Sequence, residues 1–180
     1  MIPSFVENWF DTASCEALAR LGREVVDIPG LIVEVGAWEG RSTCALANAI
    51  HPRIVHSVDT WEGSPGEISE RLAAARDIYA KWKVNVAHWT RGNVIAHQCG
   101  WRDFPLEPLA LAFIDAEHTY SEVFDNVTAF APHLASGGIL CGDDAHHPPI
   151  RESLTDLIAT GVIDGADLTA DATLWIWRKP

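Results

Sequence analysis

The fold of this chain is decided by the stretch Leu31-Ile-Val-Glu-Val-Gly-Ala-Trp-Glu-Gly-Arg-Ser-Thr43. An apolar β-branched run ends in an acid and a glycine, a second glycine follows four residues later, and a helical pattern begins at Ser42. This order predicts a buried strand over residues 31–35, then a tight turn and a helix. Such a turn exposes backbone N–H groups and lets a ligand approach closely, because glycine has no Cβ.

The glycine spacing of this turn indicates which ligand it suits. The turn reads E-x-G-x-x-x-G, whereas the turns of dinucleotide-binding proteins read G-x-G-x-x-G. The acid Glu34, which comes shortly before Gly36, suits a cationic or hydroxyl-rich ligand better than a pyrophosphate. The turn therefore favours S-adenosylmethionine (SAM) over NAD.

Length and charge exclude several classes of protein. The 180 residues, 48% of them hydrophobic, predict one domain over residues 1–180 with a full core. A formal net charge of −12 disfavours nucleic acids and membrane surfaces as partners, and no apolar run reaches the ~18 residues of a membrane span. Four scattered cysteines and no evident signal peptide predict a cytoplasmic protein with reduced thiols. The sequence leaves the oligomeric state open, a homo-oligomer included.

Strands and helices alternate along the chain. After the first strand, apolar runs predict strands at residues 54–58, 94–97, 109–114 and 139–141, and two short strands between Ala166 and Arg178, the last over residues 173–177. Helices are predicted at residues 14–26 within an N-terminal helical segment (1–29), from residue 42, and at residues 121–134 and 151–160. Ser136-Gly-Gly138 is a typical helix end. A polar insertion at residues 61–89 is expected on the substrate side. Alternating β and α units predict an α/β fold with a mostly parallel, seven-stranded sheet and helices on both faces.

Acidic residues follow four of the predicted strands or lie within them. Glu34 is in the first, Asp59 follows the second, Asp115 the fourth, and Asp143 and Asp144 the fifth. Ligands of open α/β sheets bind at the carboxyl ends of the strands, and adjacent strands lie only ~4.8 Å apart. Several carboxylates this close repel one another unless a positive group lies between them.

Each acid has a functional interpretation and a structural one. Asp59 is positioned to accept both hydroxyls of a ribose, and its alternative role is an ordinary turn or helix-capping acid. Asp115, Asp143 and Asp144 offer the oxygen ligands that Mg²⁺ or Mn²⁺ prefers, and their alternative role is to cap the helices that follow.

Histidines and aromatic residues complete the candidate site. His118, three residues after Asp115, suits a general base acting on a substrate hydroxyl, and its alternative is a capping or exposed histidine. His146 and His147 either line the cleft, complete a metal site or are ordinary loop residues. Aromatic residues expected to line a pocket are Trp38, Trp61 and Trp101 beside glycine turns, with Phe5, Trp9 and Phe10 from the N-terminal segment.

Four motifs in order resemble a known group of enzymes. Glu34-Val-Gly-Ala-Trp-Glu-Gly-Arg-Ser42 is similar to the first motif of class I SAM-dependent methyltransferases, especially the catechol O-methyltransferase type. The remaining three resemble the small bacterial family that includes the macrocin and mycinamicin sugar O-methyltransferases. They are Asp59-Thr-Trp-Glu-Gly63, Phe113-Ile-Asp-Ala-Glu-His-Thr-Tyr120 and Gly137-Gly-Ile-Leu-Cys-Gly-Asp-Asp144. The resemblance covers roughly residues 30–150 and implies a Rossmann-like fold.

The resemblance also implies roles for individual residues. The methionine part of SAM would be held by Glu34 and by the turn Gly36, Ala37, Trp38 and Gly40, with Ser42 on its carboxylate. Asp59 would bind the ribose; Asp115, Asp143 and Asp144 would hold Mg²⁺, with Asp115 also near the cofactor; and His118 would be the general base. The segment Cys99-Gly-Trp-Arg-Asp103 departs from the family pattern, and there Trp101 would cover the adenine.

The expected reaction is methyl transfer to a hydroxyl of a small molecule such as a sugar, a polyphenol or another natural product. Four alternatives stay open at this stage. They are a metal-independent methyltransferase, a SAM-binding protein without transferase activity, a metal hydrolase built on Asp115, His118 and Asp144, and an NAD-dependent oxidoreductase, the weakest because its glycine spacing is absent.

Overall fold

The computed structural model describes residues 1–165 and 168–180. It contains one seven-stranded sheet with helices on both faces. The strands are β1 (Leu31–Val35), β2 (Val55–Asp59), β3 (Val94–Gln98), β4 (Leu109–Ile114), β5 (Leu134–Gly142), β6 (Leu168–Asp171) and β7 (Leu174–Arg178). The α-helices are α1 (Thr12–Glu24), α2 (Arg41–Ile50), α3 (Ile68–Ala75), α4 (Ile78–Trp89), α5 (Tyr120–Phe130) and α6 (Pro148–Ala159). None of the helices described has the length and apolar character needed to cross a membrane.

The strand order creates a cleft in the middle of the sheet. The order is β3-β2-β1-β4-β5-β7-β6, with β1 to β5 parallel and β7 antiparallel to both of its neighbours. The chain runs outward from β1 to β3 and then crosses back to β4, so the connections after β1 and β4 leave in opposite directions. Ligands of open α/β sheets bind at such a reversal. The predicted α/β class and mostly parallel seven-stranded sheet are confirmed.

Helices cover both faces because the central strands are apolar on both. Every residue of β4 is buried. On one face α1 and α2 pack through Leu18 and Leu46 against Phe113. On the other, α5 and α6 pack through Phe130 and Leu157 in the same cluster as Ala112 and Leu140. A fully apolar strand covered on both sides is typical of parallel sheets.

The insertion at residues 61–89 folds into α3 and α4 and packs over the turn that follows β1. Trp61 and Trp82 are buried with Ala37 and Cys44 in a third apolar cluster. The Trp61 ring centroid lies 5.1 Å from that of Trp82 and 4.4 Å from that of Tyr79. This aromatic contact fixes the insertion against the carboxyl ends of β1 and β2.

The structure corrects one predicted helix end. The helix expected at residues 121–134 is α5, which ends at Phe130, and Leu134 already belongs to β5. Residues 136–138 therefore lie inside the strand, where the register changes from Leu109 opposite Leu134 to Leu111 opposite Ile139. Gly137, at φ +77°, belongs to this irregular section and donates its N–H to the Lys179 carbonyl. The glycines thus serve a bulge, which on sequence alone has the same signature as a helix end.

Other boundaries differ by a few residues. The helix expected to begin at residue 151 begins at Pro148, because proline suits the first turn of a helix. Strands β2 and β3 each end one residue later than predicted. The two short C-terminal strands are present as β6 and β7, whereas Ala166, where this region was expected to begin, lies outside the described residues.

Candidate active site

One cavity opens at the carboxyl ends of the central strands and has a volume of about 670 Å³. This size is within the usual range for small-molecule sites. Ten of the predicted site residues line it: Gly36, Ala37, Trp38, Ser42, Asp59, Trp101, Asp115, His118, Asp143 and Asp144. Glu34 and Gly40 are outside the lining, and so is Trp61, which was expected to line a pocket but is buried in the apolar cluster of the insertion.

The turn after β1 needs its glycines for contacts within the protein. Gly36 has φ +86°, and a Cβ there would lie 1.8 Å from the carbonyl oxygen of Asp115. Gly40 precedes α2 at φ +88°, and a Cβ there would lie 2.9 Å from Cδ1 of Trp82. These glycines let β4 and the insertion approach the turn, and the expectation that they also make room for a ligand stays a prediction.

Glu34 is a buried support for this turn. Its side chain is fully inaccessible to solvent and accepts hydrogen bonds from Ser42 Oγ at 2.6 Å, Ser57 Oγ at 2.8 Å and the Thr43 hydroxyl. Burial raises the pKa of Glu34 to about 7, although the three hydroxyls act in the opposite direction. The side chains of Glu34 and Ser42 bind each other and tie β1 to α2, and the contact with the methionine part of SAM that the family resemblance implies stays a prediction.

Asp59 holds the turn from the end of β2. One carboxylate oxygen accepts the backbone N–H groups of Ala37 and Trp38 at 2.7 and 2.9 Å, and the other accepts that of Trp61 at 2.6 Å. Burial raises the pKa of Asp59, while these hydrogen bonds lower it. Trp38 has φ +44°, a strained value for a non-glycine residue, and the Asp59 contact stabilises it. Asp59 thus lines the cavity with a carboxylate that is already engaged by the protein.

His118 lies between carboxylates that also line the cavity. Its Nε2 is 3.0 Å from Asp144 Oδ2 and 3.9 Å from Asp115 Oδ1, and its Nδ1 is 3.0 Å from Glu67 Oε1. Asp115 and Asp144, and to a smaller extent Glu67, raise the pKa of His118 to about 11. The imidazolium in turn lowers the pKa of Asp144. When its imidazole is protonated, His118 is itself the positive group that separates these carboxylates.

Asp143 is oriented by the C-terminal hairpin. It is buried and accepts a hydrogen bond from the Thr173 hydroxyl, whose oxygen lies 2.8 Å from Ser14 Oγ at the start of α1. Burial, and next the charge of Asp115, raises the pKa of Asp143 to about 6. A buried and a half-buried acid that repel each other in this way are a suitable setting for a cation.

The donor chemistry fits Mg²⁺ or Mn²⁺, because Asp115, Asp143 and Asp144 share one wall of the cavity and offer only carboxylate oxygens. Among residues 1–165 and 168–180, however, no group of three or more His, Cys, Asp or Glu side chains is already arranged to hold a metal ion. A cation there would share the Asp144 carboxylate with His118, whose Nε2 is 3.0 Å from Asp144 Oδ2. His146 is exposed and lies farther from the acids, with its Nε2 3.9 Å from Asp144 Oδ1.

Trp101 lines the cavity and is the first residue of a short helical turn, Trp101–Asp103. Its indole N–H donates to Glu122, and the Arg102 guanidinium lies 4.3 Å from the ring centroid. Arg102 also pairs with Glu122 and Asp125, at 3.1 and 2.8 Å. One face of the Trp101 ring is therefore covered by Arg102, and its contact with an adenine stays a prediction.

Residues 1–10 of the N-terminal segment help to line the cavity and include or contact two acids, Glu7 and Glu39, that were not among the predicted site residues. Glu7 accepts from Trp38 Nε1 at 3.2 Å and pairs with Arg76 at 2.8 Å, while Glu39 accepts the Val6 N–H at 2.5 Å. The Trp9 ring lies 5.3 Å from that of Trp38. The predicted wall residues Phe5, Trp9 and Phe10 all line the cavity. No local motif marks Glu7, Glu67 or Thr173, because each acts across a large sequence separation. Glu39 lies within the first motif, but its contact with Val6 is equally distant in sequence.

Comparison with known proteins identifies the family. The family model described as a methyltransferase domain matches residues 33–145. The O-methyltransferase NovP is 23% identical with a TM-score of 0.69, covering 92% of this chain and 78% of that one. The calicheamicin methyltransferase CalS11 is 22% identical with a TM-score of 0.70, covering 91% and 77%. TomG from Streptomyces achromogenes, an O-methyltransferase of tomaymycin synthesis solved with SAM, is 16% identical with a TM-score of 0.66, covering 94% and 81%. No curated protein matches.

The matched region carries almost all of the site. It spans more than half of the 180 residues and runs from β1 past Asp144, so it includes the turn, Asp59, Asp115 and His118. The solved structures, at these identities, show the shared Rossmann-like fold. The chain therefore belongs to the methyltransferase domain family.

Proposed function

We propose that this enzyme transfers the methyl group of SAM to a hydroxyl group of a small molecule, such as a sugar, a polyphenol or another natural product. The observation that carries the proposal is the position of His118. It lies in the same cavity as the glycine turn and Asp59, so a proton-accepting group and the expected cofactor site share one space. Transfer to oxygen is supported by the likeness of this chain to NovP and TomG, which are O-methyltransferases.

SAM supplies an electrophilic methyl group on a sulfonium sulfur, and the protein's task is to position the acceptor against it. The turn after β1 gives the backbone framework for the cofactor, and Asp59 keeps that framework closed. The N-terminal segment and the insertion line the cavity through residues such as Phe5, Trp9 and Ile68, and would limit the access of water to the reacting groups. The acceptor hydroxyl would lie near His118, whose Nε2 faces Asp144 and Asp115.

His118 would take the hydroxyl proton at Nε2, which requires a neutral imidazole. The surrounding carboxylates oppose this state, because they hold the pKa of His118 at about 11. Mg²⁺ or Mn²⁺ held by Asp115, Asp143 and Asp144 would offset their charge and lower the pKa of a nearby hydroxyl. Metal dependence is therefore part of the proposal.

Metal-independent methyl transfer is the second candidate, and a specific contact favours it. The His118–Asp144 ion pair at 3.0 Å already balances one carboxylate, and Thr173 already binds Asp143. In that case His118 would orient the acceptor hydroxyl as a donor, and the proton would leave through water.

A screen of hydroxyl compounds with a coupled S-adenosylhomocysteine assay, run with Mg²⁺ or with a chelator, separates these candidates. Product formed only with Mg²⁺ supports the main proposal, and product formed equally in chelator supports the second. No product from any hydroxyl compound, together with intact S-adenosylhomocysteine binding, favours a SAM-binding protein without transferase activity toward hydroxyls.

A further inference from the structure

Glu67 occupies a helix-capping position without capping the helix. It is the N-cap residue of α3, at φ −91° and ψ 172°, and makes no side-chain hydrogen bond to the first turn. Helices prefer Ser, Thr, Asp or Asn at this position, because a short side chain reaches the free N–H groups. The carboxylate of Glu67 instead makes a hydrogen bond with His118, which is 51 residues later in the sequence.

The loop before Glu67 is held in place by contacts of its own. Gly63 approaches α3 so closely that a Cβ there would lie 2.4 Å from the Glu70 nitrogen. Ser64 donates its N–H to Ser69 Oγ at 3.0 Å and its hydroxyl to the Ala116 carbonyl at 3.3 Å. This loop therefore docks on the segment that carries His118 through two contacts, one at Ala116 and one at His118 itself.

We propose that Glu67 is a positioning residue for His118, an inference that rests on the proposed function. Glu67 Oε1 lies 3.0 Å from Nδ1, so a proton on Nδ1 is donated to Glu67, and Nε2 is left facing Asp144 and Asp115. A carboxylate that accepts a hydrogen bond from one imidazole nitrogen fixes the orientation of the ring. It also keeps the proton of the neutral ring on that nitrogen, which leaves the other nitrogen free to accept a proton. The insertion thus carries the group that orients the His118 ring. The orientation of the ring therefore depends on how the insertion packs against the rest of the protein.

A double-mutant cycle tests this role. Glu67→Ala should lower kcat for methyl transfer by ~10–100-fold, with Glu67→Gln less severe because its amide oxygen still accepts from Nδ1. Affinity for S-adenosylhomocysteine should change little. In the His118→Ala background, Glu67→Ala should cause no further loss, because its effect passes through the ring.

Glu70→Gln is the matched control, since Glu70 accepts the Gly66 N–H in the same loop at 2.9 Å. The proposal is overturned if Glu67→Ala costs no more than this control, or costs the same factor in the absence of His118.

An acceptor-free measurement separates this proposal from the proposed function. In ¹⁵N-resolved NMR of the imidazoles, with His118 assigned from the spectrum of His118→Ala, the wild-type Nδ1 should carry a hydrogen-bonded proton. Glu67→Ala should shift the His118 signals, while Glu70→Gln leaves them unchanged. Unaltered His118 signals in Glu67→Ala would overturn the positioning role, whether or not a methyl acceptor is known.

Discussion

The Asp59 carboxylate accepts the backbone N–H of Trp38 at 2.9 Å, so the end of β2 closes the turn that follows β1. The same oxygen accepts the Ala37 N–H, and the second oxygen accepts that of Trp61. One side chain thus joins β2, the turn and the start of the insertion. A ribose at this site would meet an acid that is already ordered by the protein.

We expect Asp59→Ala to weaken binding of S-adenosylhomocysteine by about tenfold or more, because hydrogen bonds to a charged acceptor contribute ~1.5–3 kcal/mol. The variant should also melt at a lower temperature, since three backbone N–H groups lose their acceptor. Calorimetric titration and thermal unfolding measure both effects. Unchanged affinity in a folded Asp59→Ala protein would remove Asp59 from the cofactor site.

Gly36→Ala should be strongly destabilising, by ~3 kcal/mol or more, because its Cβ would overlap the Asp115 carbonyl oxygen at 1.8 Å. Gly66→Ala is the control: Gly66 has a similar φ of +78° but no atom within 4 Å of the added Cβ. It should cost only the ~1–2 kcal/mol of a left-handed backbone. Urea unfolding of both variants checks this, and equal losses would contradict the crowding argument.

Glu34 should make the stability of the protein depend on pH. The folded protein keeps the Glu34 proton up to about pH 7, whereas the unfolded chain loses it near the ordinary pKa of 4.5. The contribution of Glu34 to the free energy of unfolding is therefore fully present below pH 4.5, the pKa in the unfolded chain, and is lost as the pH rises through about 7. Glu34→Gln, which carries no charge, should flatten this dependence. Urea unfolding from about pH 5 to pH 8 gives the comparison, and an unchanged slope in Glu34→Gln would contradict the assignment.

The order of elements could be predicted from the sequence because it depends on local patterns. Leu31–Val35 and Leu109–Ile114 have the predicted bounds, since both are continuous apolar runs that lie between covered faces. The helix end near Ser136 could not be predicted correctly. Glycine serves a bulge and a helix end equally well, and only the pairing of β5 with β4 distinguishes them.

The site was predictable where a residue ends a strand, and not where it acts across the fold. Asp59, Asp115 and Asp143 share one cavity because the carboxyl ends of parallel strands meet. Glu67 carries no such signal, since its contact with His118 depends on how the insertion docks. The hydrogen bond between Glu34 and Ser42 could not be predicted either, because an acid in a strand has the same sequence pattern whether it faces a helix or a ligand.

A divalent cation should bind between Asp115 and the Asp143–Asp144 pair. Crystals soaked in Mn²⁺ with S-adenosylhomocysteine should give an anomalous peak there, with oxygen ligands at distances suited to a hard cation. Asp143→Asn should weaken the peak, whereas His146→Ala, at an exposed position, serves as the control. A wild-type crystal without a peak at high Mn²⁺ would make metal-independent transfer the leading account.

The most direct measurement is the transfer of an isotope-labelled methyl group from SAM to a hydroxyl compound, followed by mass spectrometry, in wild-type protein and His118→Ala. The account predicts an O-methylated product from the wild type and a ~10²–10⁴-fold slower reaction in the variant, as expected for loss of a general base. Binding of S-adenosylhomocysteine should be nearly equal in both proteins. Label on nitrogen or carbon instead of oxygen, or equal rates with and without His118, would contradict the account.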